Sequence, residues 1–271
     1  MYSISDEELN SITKAVFTRY GIDFTNYEPV SLKRRIARIL AVYKLENVID
    51  LWRKIIYEKE FIQLFIDEVT VGLTEMFRNH DFWIKLREDI FSQLKSKKDI
   101  SIWHAGCSTG EEVYSMAICL TEEGLISRCT VIATDLNSKS IEQAKQGRFS
   151  SMYAKAYASN YLAAKGKKTI NYYHGLEQDE MVFNKLDLQH FTFHQHNLVK
   201  DLVGTTYNLI LCRNVMIYFD ETLKMKILDL FHKSLKEDGF LAIGYYDSLP
   251  EGYKKYFSVY DATCKIYKKK V

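Results

Sequence analysis

Residues 102–118 read IWHAGCSTGEEVYSMAI: an apolar run, a loop bounded by Gly106 and Gly110, then Glu111 and Glu112 opening an amphipathic segment. The pattern predicts a strand, a tight glycine turn and a helix start, the junction at which open α/β sheets take their ligands. An ordinary strand-to-helix turn would carry the same glycines, so the chemistry of the loop decides what it can hold. It is neither G-x-G-x-x-G nor G-x-x-x-x-G-K-[ST], and it has no lysine for phosphates. Two glutamates would repel a pyrophosphate and suit a ligand bearing positive charge. S-adenosylmethionine is such a ligand, with a sulfonium, an ammonium and a nucleoside that lacks phosphate.

A second feature lies downstream. After a helical segment over 111–123 comes CTVIATDLN, residues 129–137, an apolar strand ending in Asp135. An acidic residue at the end of the next strand can accept hydrogen bonds from both hydroxyls of a ribose. Asp135 could instead cap the helix that SKSIEQAKQG predicts, although Asn137 and Ser138 are equally placed to do so.

Working outward, the two parts of the chain differ in kind. The first hundred residues read as helices throughout. Ser5 and Glu8 form a capping box, Leu9, Ile12, Val16 and Tyr20 make one face, and Gly21 ends the first helix. A second helix follows Pro29, with Leu32, Ile36, Ile39 and Tyr43 on one side, Arg34 and Arg38 opposite, and Lys33 and Arg35 on the flanks. Further helical patterns cover 46–57, 59–70 and 80–95. From residue 99 the runs DISIWHA, TVIATD, YNLILC and GFLAIGYY read as buried strands separated by helices, which predicts an α/β sheet. The final ATCKIYKKK alternates as an edge strand would.

The global figures fit a cytoplasmic enzyme. A chain of 271 residues with 47% hydrophobic content can fill one large core or two modest ones. A net charge of +2 is too small to imply nucleic-acid binding. The five cysteines form no C-x-x-C pair, which suits a reducing compartment. MYSISDEELN is polar and acidic, unlike a signal peptide, and no apolar run approaches the ~20 residues needed to span a bilayer.

Two more segments carry chemistry. In VTVGLTEMFRNHDFW, residues 69–83, the spacing of Thr74 and Arg78 places both on one face of a helical turn. In YNLILCRNVMIYF, residues 207–219, an apolar strand gives way to Arg213 and Asn214 at its carboxyl end, where polar side chains project into a ligand crevice. Arg213 could equally serve a structural salt bridge, and Tyr218, shortly after, could belong to the core.

Taken in order, LTEMFR, WHAGCSTGEEVYSMA, ATDLNSKSIEQAKQGRFS, FHQHNL, LCRNVMIYFD and LKEDGFLAIGYYDSL resemble the CheR-type chemotaxis receptor methyltransferases, the protein-glutamate O-methyltransferases. The resemblance covers nearly the whole chain. It implies an all-α N-terminal domain for receptor docking over 1–78. A doubly wound, S-adenosylmethionine-dependent methyltransferase domain would follow over 79–271, with a β-subdomain within about 150–196. It implies cofactor contacts from Thr74, Arg78, Glu112, Asp135, Asn197, Leu198, Arg213 and Asn214, beside the loop of Gly106. Arg78 and Tyr218 match positions next to the methyl group, and S-adenosylhomocysteine would be the product. Arg78 could orient the acceptor carboxylate by paired charge-assisted hydrogen bonds or clamp the cofactor's own carboxylate. Glu112 would meet the cofactor's ammonium or its neighbours, while Glu111 would only cap the helix start.

The acceptor implied is the helical, glutamate-bearing cytoplasmic region of a chemotaxis receptor, met by a monomer. The basic face of Lys33, Arg34, Arg35 and Arg38 is a sensible counterpart for acidic helices, although solvated charges on a helix exterior are also common. Some positions depart from the family. Gly72 stands where asparagine is usual, Met76 where phenylalanine is usual, and Tyr245, Tyr246 and Asp247 replace His-Ser-Glu. The insert between Phe149 and Asn197 contains NYYHGLEQDEMVFNKL and FTFHQHN, read as short antiparallel strands of the subdomain. Its lysine-rich AAKGKKTINYYHG does not match the glycine loop by which some members tether a receptor pentapeptide, so no such tether is expected. His194 and His196 would share a strand face, but no third ligand lies at a suggestive spacing and the chemistry needs no Lewis acid, so no metal is expected. Two rivals stand beside this reading: a methyltransferase of the same fold with another acceptor, and a non-catalytic module that binds cofactor and receptor.

Overall fold

Ser5 opens the first helix with the expected capping box: its side chain accepts from the Glu8 amide while Glu8 accepts from the Ser5 amide. The computed structural model describes residues 3–70, 74–199 and 204–270, so the Gly72 departure lies outside the described residues. Helices α1 (Asp6–Tyr20), α2 (Pro29–Val42), α3 (Val48–Tyr57) and α4 (Phe61–Val69) follow in turn. Their apolar stripes, including Leu9, Ile12, Val16, Leu32, Ile36, Ile39, Leu51 and Phe65, close on one another as a core of their own. Pro29 sits in the first turn of α2, where its missing N–H costs nothing, and Glu28 caps that helix from outside.

The helical pattern over 80–95 appears as α5 (His80–Lys85) and α6 (Phe91–Leu94) with a π turn, Leu86–Ile90, between them. Thereafter strands and helices alternate: β1 (Ile100–Ala105), α7 (Glu111–Glu122), β2 (Cys129–Asp135), α8 (Ser138–Gln146), β3 (Arg148–Ser150) and α9 (Ala154–Ala163). Then come β4 (Gly175–Glu177), β5 (Glu180–Val182), β6 (Phe191–Gln195), β7 (Tyr207–Cys212), α10 (Glu221–Ser234), β8 (Leu235–Ile243), β9 (Phe257–Asp261) and β10 (Ile266–Lys269).

The main sheet has seven strands in the order β6-β2-β1-β7-β8-β10-β9, in which β10 alone runs against the others: the first five are parallel, and β9, antiparallel to β10, points the same way as they do. The chain winds from β1 outward through β2 to β6, then returns beside β1 as β7 and winds the other way. That reversal leaves a crevice outside the carboxyl ends of β1 and β7. Both sheet faces are covered, one by the core around Trp83, Phe91 and Met116, the other by α10 residues such as Ile227 and Phe231. Such burial explains why β7 is apolar on both faces.

Two expectations are corrected. FTFHQHN does not join the small antiparallel sheet; Phe191–Gln195 runs parallel to β2 in the main sheet, while β3, β5 and β4 make the small sheet. The segment is five residues long with one fully buried side chain, a pattern shared by outer strands of both kinds. ATCKIYKKK supplies β10, but the edge belongs to β9, which pairs along β10 and leaves Val259 in solvent. Ile266 and Tyr267 are both buried, as an inner position requires.

Candidate active site

The crevice opens into a cavity of about 220 Å³. Thr74, Arg78, Gly106, Glu112, Asp135, Asn197, Leu198, Arg213, Asn214 and Tyr218 all line it. These positions come from segments far apart in sequence, and the sheet's switch point is what gathers them. Gly106 is required for the first turn. Its φ is +86°, and a Cβ there would stand 2.4 Å from the Val215 side chain, so the loop after β1 could not lie against the loop after β7.

Asp135 ends β2 with both carboxylate oxygens engaged by backbone: Oδ2 accepts from the Ser108 amide at 2.8 Å and Oδ1 from the Asn137 amide at 2.9 Å. Burial pushes its pKa up, against those hydrogen bonds, and each oxygen keeps acceptor capacity toward the cavity. Asp135 does not cap α8; Asn137 does, accepting from the amides of Lys139 and Ser140. Ser108 Oγ is buried at the cavity wall without a hydrogen-bond partner among the described residues. Cys107 also lines the wall, but burial, reinforced by the nearby carboxylates of Asp135 and Glu112, pushes its thiol far from ionisation. It is therefore no nucleophile at neutral pH.

The two glutamates of the loop take different parts. Glu112 is gripped from two sides: His104 Nδ1 lies 2.9 Å from Oε1, and Arg213 Nη1 donates to Oε2 at 2.9 Å. Burial alone would raise its pKa, yet the His104 hydrogen bond and the Arg213 charge prevail and hold it below the usual range. Glu111 lies outside the cavity lining and serves the helix start, as expected: its carboxylate meets its own backbone amide, one of the free N–H groups of the first turn. Thr109 Oγ1 and the Tyr157 hydroxyl donate to its carboxylate, and the residue before α7, Gly110, provides no side-chain cap.

Arg213 is structural as well as cavity-lining. Beyond Glu112 it donates through Nη2 to Asn79 Oδ1 at 2.9 Å and to the Arg78 carbonyl at 3.3 Å, and it stacks over the Phe82 ring at 4.1 Å. The expected helical turn carrying Thr74 and Arg78 is absent. The segment is an irregular turn in which Phe77 and Asn79, on either side of Arg78, adopt φ of +53° and +59°. Trp83 Nε1 also donates to the Arg78 carbonyl, at 3.1 Å, and the Phe77 amide donates to Ser115 Oγ at 2.9 Å. Ser108 and Asn214 carry positive φ too, at +49° and +60°. Two of these four non-glycine residues line the cavity and the other two flank Arg78, which also lines it, a backbone held out of its relaxed state as functional sites commonly are.

Further side chains that the sequence does not assign to this site also line the cavity, among them Tyr27, Asp67 and Thr70 from the helical part, and His196. No local pattern flags the first three, because they approach only through packing between distant segments. His196 belongs to a pair read above for metal; its ring packs edge-on against Trp103 at 5.6 Å while His194 is exposed. Among the described residues no group of three or more His, Cys, Asp or Glu side chains is placed to hold a metal ion. Met76 is fully buried in the core. Tyr245, Tyr246 and Asp247 stay outside the cavity lining: Tyr245 donates to Cys264 Sγ at 3.8 Å, Tyr246 points to solvent, and Asp247 Oδ2 accepts from the Gly244 amide at 3.1 Å.

The basic positions of α2 separate into two kinds. Arg34 and Arg38 are exposed, Arg38 reaching Glu68 at 3.2 Å, while Lys33 pairs with Asp6 at 2.8 Å. Arg35 bends inward, donating to the Glu68 carbonyl and lying 5.9 Å from the Tyr218 ring at the cavity.

Comparison with known proteins agrees with this geometry. The model of the CheR methyltransferase SAM-binding domain matches residues 72–266, and that of the CheR methyltransferase all-alpha domain matches residues 7–70. A Pseudomonas putida protein named Cher3 is 36% identical over 245 residues, 90% of each chain. The chemotaxis protein methyltransferase of Borreliella burgdorferi is 28% identical, covering 97% of this chain and 95% of its own. The Campylobacter jejuni protein of the same name is 29% identical over 94% of both.

Proposed function

The chain belongs to the CheR methyltransferase family and is an S-adenosylmethionine-dependent methyltransferase, and on that premise we propose that it methylates glutamate side chains of chemotaxis receptors. The product would be glutamate methyl esters that adjust receptor output during sensory adaptation. In this reading residues 1–78 dock the receptor's cytoplasmic helices and residues 79–271 hold the cofactor.

The cavity fits that cofactor. Ser108 Oγ is an orphaned polar atom facing it, Asp135 keeps acceptor capacity for ribose hydroxyls, and the loop has no cation suited to a phosphate. Thr74, Asn197, Leu198 and Asn214 complete the wall around those groups. Glu112 is already gripped by His104 and Arg213, so it serves by fixing Arg213 and by lending the cavity negative potential near a cationic ligand.

When bound, S-adenosylmethionine supplies an electrophilic methyl group, which a carboxylate takes without help from a base. A glutamate carboxyl with an unperturbed pKa near ~4.3 is already ionised at neutral pH. The protein's task is placement. Arg78, locked between two strained residues, can hold a carboxylate in register by paired hydrogen bonds, and Tyr218 can exclude water beside it.

The observation that carries the proposal is the position of Tyr218, which lines the cavity on one side and lies under Arg35 of the basic helix on the other. An acidic helix steered to Arg34 and Arg38 would meet the helix whose Arg35 touches the cavity wall at Tyr218. The test is transfer of a labelled methyl group from S-adenosylmethionine to membranes bearing the cognate receptor, followed by mild base. Label on the receptor that base releases as methanol supports the assignment; no label, or label stable to base, defeats it.

A further inference from the structure

We infer that Tyr27, contributed by the helical part of the chain, is a cofactor-binding residue whose phenol faces the nucleoside end of S-adenosylmethionine beside Asp135. The inference rests on the assignment of Asp135 to the ribose. Tyr27 lies in the turn between α1 and α2, and that turn is latched onto the segment that carries Tyr218. The Glu28 amide donates to the Tyr218 carbonyl at 2.9 Å and the Asp220 amide donates to the Asn26 carbonyl at 2.8 Å, with Tyr27 and Phe219 paired between them as an isolated antiparallel bridge. The Tyr27 ring is fixed edge-on against Phe24 at 4.8 Å and Phe219 at 5.2 Å. It lines the same cavity as Ser108 and Asp135.

Packing alone does not account for a tyrosine here. Two aromatic neighbours and an apolar joint would be served equally by phenylalanine, whereas a partly buried phenol at a cavity wall has a hydroxyl to offer a ligand. Burial, reinforced by the charge of Asp135, raises the Tyr27 pKa, so the hydroxyl stays protonated. A donor and an acceptor carboxylate lining one cavity match a ligand with hydroxyls that both donate and accept, as a ribose does. Asp135 can take the ribose protons while Tyr27 donates to an oxygen or ring nitrogen of the nucleoside.

The experiment is calorimetric titration of the full chain and its Tyr27→Phe variant with S-adenosylhomocysteine and with 5′-methylthioadenosine, which lacks the amino-acid portion. Removing one hydrogen bond while keeping the ring should weaken both ligands by a similar factor, about 3- to 10-fold. Tyr27→Ala should weaken them further; should it fail to fold, the phenylalanine variant decides alone. Unchanged affinity of Tyr27→Phe for both ligands, or a loss confined to S-adenosylhomocysteine, would overturn the inference. Neither titration involves a receptor, so a chain that binds both ligands yet labels no receptor would sink the proposed function and leave this result standing.

Discussion

Asp135, half-buried, and Asp247, buried, both stand near the carboxyl edge of the sheet, and their different surroundings set different tasks. Asp135 faces the cavity, so Asp135→Ala should lower affinity for S-adenosylhomocysteine at least ~10-fold, the scale of losing hydrogen bonds to an ionised group; an unchanged calorimetric titration would remove its ribose role. Asp247 accepts from the Gly244 amide, and burial, outweighing that bond and the charges of Lys224 and Lys265, raises its pKa from 3.8 to about 6. A carboxyl whose folded pKa lies above its unfolded one costs stability as it ionises, so the fold loses stability between pH 3.8 and about 6 and stays lower above that window. Asp247→Asn should therefore gain up to about 3 kcal/mol at pH 7, at roughly 1.4 kcal/mol per pH unit. Urea unfolding at pH 7 and pH 4 checks this, since the gain should vanish at the lower pH. The place of Asp135 at the cavity was legible from sequence because an acid that ends the strand after a glycine loop falls at the carboxyl edge of the sheet. Tyr27 was not, because NYEP reads only as a helix entry and its target lies more than a hundred residues away.

Among the elements, α2 and the α5–α6 helix show how a local pattern and its tertiary use diverge. The apolar stripe of α2 was readable, and Leu32, Ile36 and Ile39 are buried as it requires. The opposite face was readable only as basic. In three dimensions Lys33 is engaged by Asp6 and Arg35 is drawn toward Tyr218, which leaves Arg34 and Arg38 as the charges presented outward. Neutralising Arg34 and Arg38 together should raise the apparent KM for receptor several-fold and leave S-adenosylhomocysteine affinity unchanged. Loss of cofactor affinity in that variant would instead assign the pair to the fold. The helix over 80–95 was legible in extent but not in its π turn, which turns Arg87 inward. Its guanidinium reaches Glu122 at 2.9 Å, Glu123 at 3.3 Å and the Lys165 carbonyl at 3.0 Å. Glu122 also accepts from the hydroxyls of Tyr161 and Tyr173. Arg87→Met leaves a buried carboxylate without its cation and should cost about 3–5 kcal/mol in denaturant unfolding. The Tyr161 and Tyr173 hydroxyls limit the loss, so a Glu122→Gln change in the same background should recover part of it.

At the scale of the whole molecule, the switch from helical to α/β pattern near residue 99 was plain in the sequence, whereas the joint between the two parts was not. Sheet order depends on pairings between segments with no shared local signal, which is why the sequence places β6 in the small sheet and β10 at an edge and does not announce β9, while β1, β2, β7 and β8 stand out by their buried apolar runs. The joint is likewise non-local: the turn at residues 26–28 meets residues 218–220, and Asp67 of α4 accepts from Asn137 and pairs with Lys139 of α8 at 2.6 Å. Because Tyr27, Asp67 and Thr70 share a cavity with Gly106 and Asp135, a ligand that fills it would touch both parts at once. Binding to the folded state alone stabilises it, by about 2.7 kcal/mol at a free ligand concentration 100 times Kd. That stabilisation should spread across the joint. Hydrogen exchange with and without saturating S-adenosylhomocysteine should show slowed amides at 26–28 and 218–220 together with those at 106–108. Slowing confined to 106–108 and the end of β2 would mean that the cofactor is held by the sheet alone. The helical part would then serve docking only, and the latch would be a static hinge pin between two independent tasks.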